Sequence, residues 1–262
     1  MKLYFTKMQG AGNDFVLLNT ISHPVDNLSR LAKKLCDRHF GVGADQLLAA
    51  APSTKGDFRM DIYNADGGRV EMCGNGIRCF VKYLRDHGIT PKTSLAVETM
   101  AGMIYPELIA GHPGTTGETA WVKVNMGKPV LEGRNADGWV ISMGNPHCVL
   151  FVDDVDSADV EKIGPRIEND PFFPNRANVE FVQVMDKKNI RLRVWERGAG
   201  ETLACGTGAC AAVVASVENN KTGRSVTVRL RGGNLEIFWD EASGNVFMTG
   251  PATTVFEGEM EI

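Results

Sequence analysis

Cysteine is sparse in this chain: six residues in 262, none of them in a C-x-x-C pair. That is too few for a disulfide scaffold, and the predicted setting is a reducing cytoplasm with thiols left as thiols. A zinc site drawn from Cys73, Cys79, Cys205 and Cys210 would lack the tight knuckle spacing of structural zinc, so no metal is expected. Basic blocks are also missing. With 28 Lys and Arg against 32 Asp and Glu, the net charge is −4 and no aromatic-basic interleaving occurs, which argues against nucleic acid as a partner. The first ten residues have no apolar core of the signal-peptide kind. No apolar run is long enough to cross a bilayer, so a membrane partner is not expected either. Gly74-Asn75-Gly76 is followed by no Lys-Ser/Thr, which removes the phosphate-loop reading.

What the chain does have is one motif twice. Tyr63-Asn64-Ala65-Asp66-Gly67-Gly68 leads through Met72 to Cys73-Gly74-Asn75-Gly76, and Ile77, Phe80, Val81 and Leu84 then fall at helical spacing. The second copy runs from Trp195-Glu196-Arg197-Gly198 to Ala204-Cys205-Gly206-Thr207-Gly208, with Ala209, Ala212, Val213 and Val217 continuing the helical face. The cysteines stand 132 positions apart, and the offset carries well beyond them. It takes Asn13 onto Asn145, Gln46 onto Asn178, Asn64 onto Glu196, the strand 58–63 onto 190–195 and the run 93–98 onto 225–230. An ungapped offset that preserves Asn, amide, strand, turn, Cys-Gly and helix in one order is the mark of a duplicated domain.

The elements follow from pattern. Strands are predicted near 1–10 and 15–18, a helix over 28–39, strands at 47–50 and 58–62, then the first motif helix and strands at 95–98 and 103–108. Gly111 to Gly117 is all punctuation and reads as the linker. The second half opens on a strand at 121–126 that has no counterpart at the offset; the tail 255–259 is expected to supply it by crossing back. Strands at 149–152, 179–184 and 190–195, the helix 207–218 and strands near 226–230, 235–239 and 245–249 complete it. The expected fold is α+β, with two pseudo-symmetric duplicated domains. Each is a mostly antiparallel sheet or barrel wrapped around a central helix, with the active site in the interdomain cleft. The predicted domains are 1–117, completed by 251–262, and 118–250.

A cysteine just ahead of a helix N-terminus sits where backbone N–H groups and the helix dipole favour its thiolate. The same place suits a carboxylate, here held by the N–H groups of Gly74, Asn75, Gly206 and Thr207. If the two halves face each other, the carbon beside that carboxylate has a sulfur on either side. One sulfur can remove its proton while the other delivers one, inverting the centre. Each acid–base step would add about 10²–10⁴-fold, and the donors act where charge develops on the carboxylate.

Gly12-Asn13-Asp14-Phe15, Tyr63-Asn64-Ala65-Asp66-Gly67, Met72-Cys73-Gly74-Asn75-Gly76, Gly144-Asn145-Pro146-His147, Pro174-Asn175-Arg176-Ala177-Asn178 and Glu196-Arg197-Gly198 with Ala204-Cys205-Gly206-Thr207-Gly208 together resemble diaminopimelate epimerases. The resemblance covers essentially the whole chain, and no motif position departs from it. It implies a cofactor-independent enzyme that interconverts LL- and meso-diaminopimelate, a small-molecule substrate, on the route to lysine and cell-wall precursor. It also implies the two-domain pseudo-symmetric fold and a homodimer. By resemblance Cys73 and Cys205 are catalytic, and Asn64, Asn178, Glu196 and Arg197 hold the distal end of the substrate. Asn13, Gln46 and Asn145 line the pocket, and His147 is a supporting residue.

The halves disagree where specificity would live. Asn64 meets Glu196, Ala65 meets Arg197, Phe15 meets His147 and Asn75 meets Thr207. One Arg on one side suits a second, fixed carboxylate, and Glu196 beside it suits an ammonium. Other readings stay open. Arg197 and Glu196 can form a surface ion pair, Asn13 and Asn145 can be plain turn residues, and His147 is either a satisfied core residue or a tuner of the nearby thiol. A one-cysteine hydrolase using His147, or a metal- or redox-sensing protein, are the competing functions. Cys36, Cys79, Cys148 and Cys210 read as inert core.

Overall fold

The structure is a computed structural model and describes residues 2–261. The chain divides into two units, one of residues 1–124 with 250–262 and one of residues 125–249. No helix among the described residues is long and apolar enough to cross a membrane.

The first unit runs β1 (Lys2–Gly10), β2 (Asn13–Asn19), α1 (Leu28–Leu35), β3 (Gln46–Ala51), β4 (Phe58–Asn64), α2 (Gly74–Asp86), β5 (Val97–Thr99), β6 (Gly102–Ile104), β7 (Pro106–Leu108) and β8 (Thr119–Asn125). β1 and β2 are antiparallel about a tight turn, where Gly12 has φ 84°, a conformation that suits glycine alone among common residues. β2 pairs parallel with β3, placing Phe15 opposite Gln46, and β3 pairs antiparallel with β4, placing Gln46 opposite Asn64. Asn13, Gln46 and Asn64 therefore lie at one end of three neighbouring strands. The glycine-rich segment 111–117 connects β7 to β8, which pair antiparallel, so the chain leaves this unit only after β8.

The second unit repeats the plan with β9 (Val130–Arg134), β10 (Trp139–Ser142), β11 (Pro146–Phe151), α3 (Val160–Glu168), β12 (Asn178–Val184), β13 (Asn189–Glu196), β14 (Gly200–Thr202), α4 (Gly206–Glu218), β15 (Ser225–Leu230) and β16 (Gly233–Trp239). Here β11 pairs parallel with β12, His147 opposite Asn178, and β12 antiparallel with β13, Val179 opposite Trp195. Asn178 and Glu196 thus end their strands as Gln46 and Asn64 do, with Asn145 just ahead of β11. The last strand, β17 (Val246–Glu261), pairs with β16 through residues 246–249 and with β1 through residues 253–261. Its second part therefore lies beside β1 in the first unit.

One helix is buried at the centre of each unit. α2 is covered from Asn75 to Leu84, and α4 from Gly208 to Ser216. A helix apolar on all sides needs cover on all sides, and α4 from Ala209 to Val217, built from Ala, Val, Ser and one Cys, has no polar face to leave in water. α1 and α3 are the outer helices. Leu31, Ala32 and Leu35 of α1 pack with Leu3, Phe5, Val16 and Leu47, while Val160 and Ile167 of α3 pack with Val140, Val179 and Phe181. The helix predicted over 28–39 ends at Leu35, with Cys36 as its cap. α3 is not signalled by periodicity, because Gly164 and Pro165 stand inside it. The strand expected over 103–108 is two short strands broken at Tyr105, ahead of Pro106.

Candidate active site

Each central helix starts on a cysteine. Cys73 caps α2 with φ −135° and ψ 115°, and its sulfur accepts from the Gly76 N–H at 3.4 Å. Cys205 caps α4 with φ −119° and ψ 117°, and its sulfur accepts from the Gly208 N–H, also at 3.4 Å. The thiol takes the place an Asp or Ser oxygen usually fills at a helix N-cap. Gly74 and Asn75, and likewise Gly206 and Thr207, are the first residues of helices whose opening N–H groups have no intrahelical acceptor.

Around Cys73 the contacts are amides. Asn13 Oδ1 accepts from the Cys73 thiol at 3.6 Å and from Asn75 Nδ2 at 3.3 Å, while Asn13 Nδ2 donates to Asp45 at 2.7 Å. Asp45 is locked in turn by Arg38, which also holds Asp14. Burial alone would raise the Asp14 carboxyl. Its bonds to Arg38 and Lys7 outweigh that and hold it well below the usual carboxylate range. At the neighbouring strand ends Gln46 Nε2 donates to Asn64 Oδ1 at 2.9 Å, and the buried Gln46 Oε1 accepts no hydrogen bond.

Around Cys205 the contacts are ionisable. Its sulfur lies 3.5 Å from Thr207 Oγ1, and the charges of Glu196 and Glu180 bear on it. Asn145 Nδ2 donates to Thr207 Oγ1 at 3.3 Å, Asn145 Oδ1 stands 3.0 Å from His147 Nε2, and His147 Nδ1 stands 2.7 Å from Glu180 Oε1. Burial pushes the Cys205 thiol well above its ordinary value, and the charges of Glu196 and Glu180 push it further. The Thr207 and Gly208 bonds offset only part of this. Burial likewise raises Glu196 and Glu180.

The remaining predicted residues lie on the same strand ends. Asn178 Oδ1 accepts from the backbone N–H of Arg197 at 2.9 Å, fixing the turn that carries it. Arg197 is exposed, and its guanidinium donates to the Asn175 carbonyl at 3.0 Å. Glu196 turns the other way, to Thr202, and no ion pair with Arg197 forms. The sequence reading missed Glu168, a buried carboxylate that takes Trp195 Nε1 at 2.7 Å, Arg176 Nη1 at 3.0 Å and the Gly198 N–H at 2.9 Å, pinning that turn from behind. It also missed Glu180, which the offset would have flagged: its counterpart is Leu48. Cys36, Cys79 and Cys148 are buried, and burial raises each thiol to about 12.

A duplicated strand-and-helix unit, with a cysteine capping each central helix, defines the class. The same fold occurs in the crystal structure of a Bacillus anthracis phenazine biosynthesis protein of the PhzF family, with TM-score 0.74 at 17% identity and both chains covered in full. The family model described as diaminopimelate epimerase matches residues 5–132 and 139–255. The diaminopimelate epimerase of Leptospira biflexa is 47% identical over 284 aligned positions, covering 100% of both chains. That of Acetivibrio thermocellus is 48% identical over 279, covering 98% of each. The chain belongs to the diaminopimelate epimerase family, and it is an isomerase.

Proposed function

We propose that this protein interconverts LL- and meso-diaminopimelate by a two-base mechanism that uses Cys73 and Cys205 and no cofactor. The observation that carries the reading is the pair of matching caps: two sulfurs at equivalent helix starts, each bonded to the third N–H of its helix at 3.4 Å. The N–H groups of Gly74, Asn75, Gly206 and Thr207 bind the α-carboxylate and take up charge as the α-proton leaves. Cys205, kept protonated by burial and two carboxylates, is the resting acid, so Cys73 is the resting base. In the reverse direction the roles exchange.

At the distal end Arg197 grips the second carboxylate, while Asn64, Asn178 and Glu196 take the second ammonium and its surroundings. Asn13, Gln46 and Asn145 line the pocket, the open Gln46 acceptor included, and His147 supports Cys205. A homodimer in the cytoplasm, supplying lysine and peptidoglycan precursor, belongs to the same proposal.

The test is turnover in heavy water. Either isomer of diaminopimelate, incubated with the enzyme and followed by NMR and mass spectrometry, is expected to gain one deuterium at the inverted α-carbon, with chelator having no effect. Absence of exchange with both isomers overturns the reading.

A further inference from the structure

Behind the two sulfurs the units differ in kind. Where the first unit places Phe15 and Leu48, the second places His147 and Glu180, both fully buried. Glu180 comes within reach of α4 because Gly208 has no side chain: a Cβ there would lie 2.7 Å from Glu180 Oε1. A buried acid and base in contact, with the far carboxyl oxygen accepting no hydrogen bond, is a costly arrangement to keep in an otherwise apolar layer.

The bonds have a direction. Asn145 presents Oδ1 to His147 Nε2 and Nδ2 to Thr207 Oγ1, so Nε2 must carry a hydrogen. Between Nδ1 and Glu180 Oε1, 2.7 Å apart, there is then one more proton, on the imidazole or on the carboxyl. Either way the pair holds a single shared proton and is neutral overall. The Thr207 hydroxyl, having accepted from Asn145, has its own hydrogen left to donate to Cys205 Sγ.

We propose that Glu180 and His147 form a positioning pair whose shared proton fixes a one-way hydrogen-bond chain, through Asn145 and Thr207, that ends as a donor on the Cys205 sulfur. The inference rests on the two-base reading for its purpose: Cys205 must bear charge in one direction of turnover. Four groups bear on that sulfur. Glu196 from β13 opposes its charge, Glu180 from β12 does so only while the shared proton sits on His147, and Thr207 and the Gly208 N–H from α4 favour it. A bond from a hydroxyl to a charged sulfur offsets the burial that resists ionisation.

The first unit supplies the substitution that tests this. Phe15 and Leu48 pack in the same places, so the variant His147→Phe with Glu180→Leu keeps a filled core. It is made in a Cys73→Ala background, and the rate of Cys205 alkylation by iodoacetamide is followed from pH 7 to 9 by mass spectrometry of its peptide. The chain predicts about tenfold slower alkylation at each pH, because the sulfur loses its ordered donor. An unchanged rate overturns the proposal. So does a faster one, which would mean that Glu180 acts as a bare negative charge or that the variant has merely loosened the site. The unmutated protein gives an independent check: ¹⁵N-labelled histidine is expected to show His147 Nε2 bearing its proton at pH 8, and a bare Nε2 overturns the proposal. Neither readout depends on turnover, so each stands apart from the deuterium-exchange test.

Discussion

The turn at Cys73 and the turn at Cys205 are copies in backbone and unlike in surroundings. Their caps agree within about 16° in φ and 2° in ψ, and each sulfur takes the same N–H bond. Yet Cys73 is half-buried beside amides, whereas Cys205 is 6% exposed and under the charges of two carboxylates. Duplication conserves what the backbone does and frees what the side chains do. A two-base reaction would need two sulfurs of equal geometry and unequal environment, since one must start charged and the other protonated.

The comparison breaks most simply at the sulfurs themselves. Cys73→Ala and Cys205→Ala are each expected to reduce epimerisation by at least about 10²–10⁴-fold, the contribution of one acid–base group. If either variant turns over within tenfold of the unmodified enzyme, in a coupled assay with both isomers, the two turns are not partners in one reaction.

A smaller difference is built into the third helical residue of each turn. A Cβ on Gly76 meets Leu48 and Cys73 carbons at 3.3 Å, an overlap that a shift of a few tenths of an ångström relieves. A Cβ on Gly208 meets Glu180 Oε1 at 2.7 Å, an atom held by His147. Gly76→Ala is therefore expected to cost less than about 1 kcal/mol, with the gain in helix propensity offsetting the contact. Gly208→Ala is expected to cost about 1–3 kcal/mol by overpacking. Denaturant midpoints of the two variants decide it, and equal midpoints would remove Glu180 from the account of α4.

Much of this was legible in the sequence because the offset carried it. Cys73, Cys205 and the amides at strand ends are polar residues at turns, where pattern is easy to read. The offset also contains what periodicity misses: α1 begins at Leu28 and α3 at Val160, 132 positions on, although Gly164 and Pro165 erase the helical signal. Glu180 was hidden for the opposite reason. It sits in the apolar run Val179–Val184, where a lone carboxylate reads as a solvent-facing strand position until its neighbours are known. The paths of Glu196 to Thr202 and of Arg197 to Asn175 depend on side-chain directions that adjacent sequence positions do not set.

A last contrast concerns how each unit braces the asparagine at its first turn. Asn145 is braced by His147, a group inside the apolar layer, while Asn13 is braced by Asp45 within a cluster of Lys7, Asp14 and Arg38. The carboxylates involved therefore carry opposite pH signatures. Asp14 has a folded value below its unfolded one of about 3.9, so its stabilisation is fully present above that pH and is lost as pH falls through the folded value. Glu180 has a folded value above its unfolded one, so its contribution is greatest in acid and declines as pH rises. Asp14→Asn is accordingly expected to cost about 1–3 kcal/mol at pH 7, as for a carboxylate removed from charged hydrogen-bond donors. That cost should shrink steadily below about pH 4, where the unfolded carboxyl gains its proton. Urea melts of the variant and parent at pH 7 and pH 3 measure it. A cost that stays constant between the two would mean that packing, not charge, holds the Asn13 turn, and the contrast between the two braces would be lost.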